Sequence, residues 1–108
     1  MKNEFDIIYV FQPKGETYTM VFFIDADNIF KTNINSSVFL RFRKNNNDDE
    51  LQAYLRKRYD YHRDSVSKID KVELKGLYEH FNSIGDEFNS SRVFSVMRNR
   101  KIDDVLND

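Results

Sequence analysis

The chain has 108 residues, 40% of them hydrophobic and 15% aromatic, enough apolar material for one core and a single domain spanning 1–108. Its 17 basic and 18 acidic residues nearly cancel, which excludes both a polyanionic nucleic-acid mimic and a histone-like polycation. With no cysteine it has neither a disulfide framework nor a thiolate metal site.

The opening MKNEFDII lacks the basic region and long apolar run of a secretion signal, and no apolar run reaches the roughly 18 residues of a membrane span. A cytoplasmic protein with no membrane association is expected. Ile7 to Phe11 then forms an apolar run that reads as a first strand, and TYTMVFFID reads as a second. Between them, Pro13 suits the second position of a tight turn and Gly15 can take the positive φ that closes a hairpin. A third strand is expected at residues 37–44, SVFLRFRK, where Val38, Leu40 and Phe42 alternate with Phe39, Arg41 and Arg43.

NNNDDE, residues 45–50, reads as a connector and helix start, because asparagine and aspartate cap free amides and acids suit the positive end of a helix dipole. From there the period becomes helical: Leu51, Leu55, Tyr59, His62 and Val66 share one arc. Asp70 and Glu73 are spaced as a capping box for a second helix, with Leu74, Leu77, Tyr78, Phe81 and Ile84 on one stripe and Gly85 as its stop. Ser90 or Ser91 can open a third helix carrying Val93, Val96 and Met97, and Ile102, Val105 and Leu106 can add a last turn. The predicted class is α+β: an antiparallel sheet of three or four strands, an N-terminal hairpin plus a third strand, packed by three C-terminal helices.

VFFIDADNIF, residues 21–30, raises the question of metal chemistry. On a strand, residues two apart point the same way, so Asp25 and Asp27 could converge on one divalent cation. FIDADN resembles the first strand of NYN/PIN-type ribonuclease domains, a likeness over about ten residues that implies a metal-dependent nuclease with these aspartates as ligands. The chain departs from that pattern in two ways. A hairpin precedes the motif, and the interval before the expected third strand is too short for a parallel crossover. DADN is therefore read as a turn, with side-chain hydrogen bonds of Asp and Asn reversing the chain.

Other chemistry is sparse. His62 falls on the apolar arc of the first helix and is expected in the core or at its boundary, while His80 reads as surface. The serines lack a nucleophile-elbow context, and three glycines cannot build a phosphate cradle. No catalytic residue, metal or cofactor is assigned.

Three features could bind a partner. On the first helix Tyr54 and Tyr61 project together with Lys57 and Arg58 on their flank, rings beside cations. In the C-terminal helix pair, residues 70–84 and 90–101 have the outline of a helix-turn-helix, with Arg92, Arg98, Arg100 and Lys101 available to phosphates. The third feature is the sheet itself. The first two strands are apolar on both faces, whereas a half-exposed antiparallel sheet alternates. Three helices cover one face readily, which leaves a face with Val21, Phe23 and Phe39 for a partner unless the C-terminal tail folds across it. The reading is a non-enzymatic, protein-binding module of the immunity, antitoxin or phage-inhibitor type, occluding another protein (a toxin, an enzyme or a second copy, as a homodimer). Its contact residues would be Tyr54, Lys57, Arg58, Tyr61, Val21, Phe23 and Phe39. The alternatives are a nucleic-acid-binding regulator using the C-terminal cations and, third, the nuclease.

Overall fold

The computed structural model describes residues 5–25, 28–44 and 48–106, the last six of these by backbone alone. It contains a four-stranded antiparallel sheet in the order β1-β2-β3-β4, with β1 (Asp6–Phe11), β2 (Tyr18–Asp25), β3 (Asn28–Asn35) and β4 (Val66–Lys68). Helices α1 (Ser36–Lys44) and α2 (Asp48–Tyr61) follow β3, and α3 (Lys71–Ser83) and α4 (Glu87–Leu106) follow β4. The class is α+β with an antiparallel sheet, as the order of strand and helix patterns predicts.

The hairpin turn is tight because Glu16 N–H donates to the Pro13 carbonyl at 3.1 Å, with Gly15 at φ 83°. Pro13 therefore occupies the first turn position rather than the expected second, where Lys14 stands, and the glycine supplies the left-handed residue that an L side chain would resist. The second reversal is the one the aspartate-rich stretch announces. Asp25 pairs with Asn28, so β2 ends and β3 returns across residues 26–27, which lie outside the described residues.

The strands are apolar on both faces because both faces are covered. Alternate residues of β2 point opposite ways. Phe22 joins Ile8, Ile29, Ile69, Leu74, Leu77, Phe81, Val93 and Val96 in one buried cluster roofed by α3 and α4, with Met20 and Ile24 at its margin. Val21 and Phe23 join Phe5, Ile34, Phe39, Leu51, Leu55 and Val66 in a second, roofed by α1 and α2. Fully burying one such side chain contributes about 1.5–3 kcal/mol, so each face holds a core of its own.

This corrects the expectation of a leftover apolar face. Val21 and Phe23 are fully buried and offer no surface to a partner, and Phe39, 6% exposed, packs into the same interior and shows only an edge at the surface. Among the described residues the cover is α2 together with the segment read as a third strand, while the side chains of Ile102, Val105 and Leu106 lie outside the described residues. Asn35 Oδ1 accepts from the backbone N–H groups of Ser37 and Val38, at 2.9 and 3.4 Å, and so caps a helix at residues 36–44. On that helix Phe39 is buried, Val38 and Phe42 are half-buried, and Leu40 faces solvent. The third strand is instead NIFKTNIN. Its Phe30, Thr32 and Ile34 oppose Phe23, Val21 and Thr19 on the α1–α2 side.

Two other boundaries move. The first long helix stops at Tyr61, and after a short 3₁₀ turn at Arg63–Ser65 the chain becomes β4, where Val66 pairs with Thr32. His62 is therefore exposed rather than on a buried arc. The final helix begins at Glu87, because Asp86 Oδ1 accepts from Asn89 N–H at 3.1 Å, and it runs to Leu106 without a separate last turn. Asn89 also donates its side-chain Nδ2 to Asp86 Oδ2 at 2.8 Å, and the two contacts, backbone first and side chain second, hold the Asp86 carboxyl below its ordinary value. The Asp70–Glu73 capping box forms as its spacing predicts.

Candidate functional site

The Asp25 end of β2 is committed to packing. Tyr59, on the α2 side, hydrogen-bonds the Asp25 carboxylate, and this contact together with burial raises the phenol above its ordinary pKa, with the Arg63 guanidinium opposing. Arg63 lies 3.7 Å over the Tyr59 ring. A folded-state pKa raised in this way gives stability that is complete below the unfolded phenol's value of about 10 and is lost as pH rises through the folded value. Tyr59→Phe should therefore be less stable than wild type by about 1 kcal/mol at about pH 9, and the gap should shrink by about pH 12. Urea midpoints of the two proteins at both pH values check this, since titrations common to both cancel. Asp27, the second residue of the aspartate pair, lies outside the described residues.

The basic and aromatic residues of α2 do converge. Tyr54, Lys57, Arg58, His62 and Ser65 line a pocket of about 380 Å³. Positions 54, 57 and 58 meet because i, i+3 and i+4 share a helix face. His62 and Ser65 arrive because the helix stops at Tyr61 and the 3₁₀ turn folds back beside it. Arg58 is fixed: its Nη1 donates to Thr32 Oγ1 at 2.8 Å and to the Asn33 carbonyl, and its guanidinium lies 5.0 Å over the Tyr54 ring. A held arginine and a held ring lose little conformational entropy when something docks on them. Lys57 and His62 are exposed at the rim, and Tyr61 stands 79% exposed beyond it. The pocket presents cationic and hydroxyl donors around an aromatic wall, which fits a carboxylate-bearing side chain.

The cations of the C-terminal helix are distributed differently. Arg92 makes an ion pair with Asp6 at 2.8 Å and lies 5.1 Å over the Phe88 ring. Arg100 Nε reaches Asn28 Oδ1 at 3.4 Å, tying α4 to the start of β3. Arg98 is exposed, and the side chain of Lys101 lies outside the described residues. Two of the four groups suggested for phosphate contact thus strap the helix to the sheet, which weakens the helix-turn-helix alternative.

A second concavity was not foreseen. Residues Ile7 to Val10 of β1, the edge strand, form the floor of a groove of about 640 Å³. Its walls come from both helical layers, Phe39, Arg43 and Leu51 on one side and His80, Phe81 and Ile84 on the other. His80, expected at the surface, is half-buried, its ring 4.9 Å from that of Tyr9 and edge-on to it. Only strand order reveals this groove, because nothing in a strand's own residues says that it lies at the edge.

Comparison of the chain with protein-family models, with curated proteins and with solved structures returns no match.

Proposed function

We propose that the chain is a non-enzymatic binding module that recognises another protein through the α2 pocket and occludes the surface it covers. The observation that carries this reading is the convergence of Tyr54, Lys57 and Arg58 with His62 and Ser65 around one pocket. Aromatic and arginine groups set in a preorganised surface are the residue types that dominate binding energy at protein interfaces. With Lys57 and His62 at the rim, the complementary partner carries an acidic side chain that enters the pocket and an apolar patch that meets Tyr61. Immunity proteins, antitoxins and phage-encoded inhibitors act in this manner on a toxin or an enzyme, and the analogy is one of type.

The test begins with purification from the native host and identification of the co-eluting protein, followed by calorimetric titration of that protein. Tyr54→Ala combined with Tyr61→Ala should weaken binding by roughly 10- to 100-fold, and Lys57→Glu should slow association most at low salt. Undiminished affinity in the double variant, with the fold intact by circular dichroism, would remove the pocket from the interface. Retention of nucleic acid in place of protein, lost on Arg98→Ala, would favour the nucleic-acid alternative.

A further inference from the structure

The two edges of the sheet are built differently. β4 is three residues long and ends in Lys68, the short, charged form in which proteins blunt an edge. β1 is six residues, DIIYVF, with no lysine or proline and one charge, at its first position. Among the described residues no strand lies beyond it. The chain closes this edge, among the described residues, at its beginning. The Gln52 side-chain amide accepts from Phe5 N–H and donates to the Phe5 carbonyl, both at 2.8 Å, standing in for one residue of a neighbouring strand. After that substitute the edge opens into the groove floored by Ile7 to Val10. A strand residue fills roughly 160 Å³, from a rise of about 3.3 Å, a strand spacing of about 4.8 Å and a sheet spacing of about 10 Å. The groove therefore has room for about four residues of added strand.

We propose that the missing strand is β1 of a second copy, paired antiparallel about Val10 to give a continuous eight-stranded sheet. Three observations favour this occupant. First, the recess and its filling adjoin on one strand. Residues 7–10 lie between the helical layers, while the hairpin end that follows is exposed, with Phe11 at 45%. A two-fold axis at Val10 places each hairpin end in the other copy's groove, so one contact satisfies both.

Second, the register is self-complementary. β1 bulges at Ile8, so Ile8 and Tyr9 both face the α3–α4 side, while Ile7 and Val10 face the α1–α2 side. Pairing about Val10 sets Val10 against itself on one face and Tyr9 against the second copy's Phe11 on the other. Within one chain the rings of Tyr9 and Phe11 are already stacked at 6.2 Å. The pairing extends them into a ladder of four rings across the junction. Third, charge agrees. The groove carries Asp48 and Asp86 against one arginine, Arg43, and the same register brings Lys14 of the entering hairpin to its Asp6 end, where Asp6 is 2.8 Å from Arg92 with one further oxygen to offer.

Sedimentation equilibrium of the wild-type chain at about 100 µM should give roughly twice 13.0 kDa, the regime of a micromolar dimer. Phe11→Lys, a change at an exposed position, should raise the dimer dissociation constant at least about tenfold with an unchanged circular dichroism spectrum. Because the chain has no cysteine, Val10→Cys places one thiol beside the axis, where opposed β-carbons are near disulfide range. Oxidation should link Val10→Cys into dimers and leave a Lys68→Cys control, at the opposite edge, monomeric. A wild-type chain that stays monomeric at that concentration would overturn the proposal. A dimer indifferent to Phe11→Lys, or one that cross-links equally through position 68, would do the same.

Discussion

Phe23→Ala should abolish or nearly abolish the folded state, whereas Phe11→Ala should leave the monomer's stability almost unchanged. Both are phenylalanines on adjoining strands of one hairpin, and both sit in apolar runs. Phe23 is fully buried, with its ring centroid 4.8 Å from Phe5, 5.9 Å from Phe30 and 6.4 Å from Tyr59. Removing the ring takes away its transfer free energy and leaves a cavity walled by other rings that cannot all collapse inward. Such truncations cost about 3–5 kcal/mol. A domain of this length has a total stability of about 5–15 kcal/mol, so the loss takes between about a fifth and all of it, and at the low end of that range no folded state remains. At about 4–8 °C per kcal/mol, the thermal midpoint should fall by tens of degrees. Thermal and urea unfolding of the two variants side by side measure the contrast. If Phe23→Ala lost less than about 1 kcal/mol, α1 and α2 could not be seated on that face of the sheet.

That prediction inverts what the strand pattern first suggests, and the reason lies in what local sequence can encode. The two-sided apolar character of β1 and β2 is legible, but it reads as a face left over for a partner, whereas the chain's own helices cover both faces. What covers the second face is not legible, because residues 37–44 fit either period. Val38, Leu40 and Phe42 alternate as a strand would, while Val38, Phe39 and Phe42 also form a helical stripe. The decision rests on the Asn35 cap, a side-chain contact to the amides two and three residues on, and on the sheet face that needs a cover. β3 is obscured for a related reason: its asparagines and lysine have poor strand propensity, and pairing with β2 along its full length overrides that preference.

The capping box was readable because both partners lie within four residues of each other. The α2 pocket was readable in part. Tyr54, Lys57 and Arg58 share a helix face by spacing alone, but His62 and Ser65 join only because the helix ends at Tyr61, short of the Val66 at which its apolar arc closes. The β1 groove depends on strand order and on two helical layers far apart in sequence, so no local pattern announces it.

Glu73→Ala should cost about 2–3 kcal/mol, more than an ordinary helix cap, because Glu73 serves two elements at once. One carboxylate oxygen, Oε1, accepts from Asp70 N–H at 3.2 Å and completes the capping box. The other, Oε2, holds the ammonium of Lys31, which projects from β3 toward α3. The two side chains are only 29% and 28% exposed, so deletion of the carboxylate leaves a partly desolvated lysine with no counter-charge. Loss of the cap alone accounts for about 1 kcal/mol, and the stranded ammonium supplies the remainder. Glu73→Gln separates the two contributions, since its amide oxygen can still accept from Asp70 while the charge is gone. Lys31→Met in the Glu73→Gln background should then recover most of the lost stability, because an unbranched apolar side chain fills the same space with no charge to solvate. A double-mutant cycle from urea unfolding should return a coupling of about 1 kcal/mol or more between positions 31 and 73. If the cycle closed to zero, the pair would be an exposed contact without energetic weight, and the angle at which α3 crosses the sheet would be set by Leu74, Leu77 and Phe81 alone.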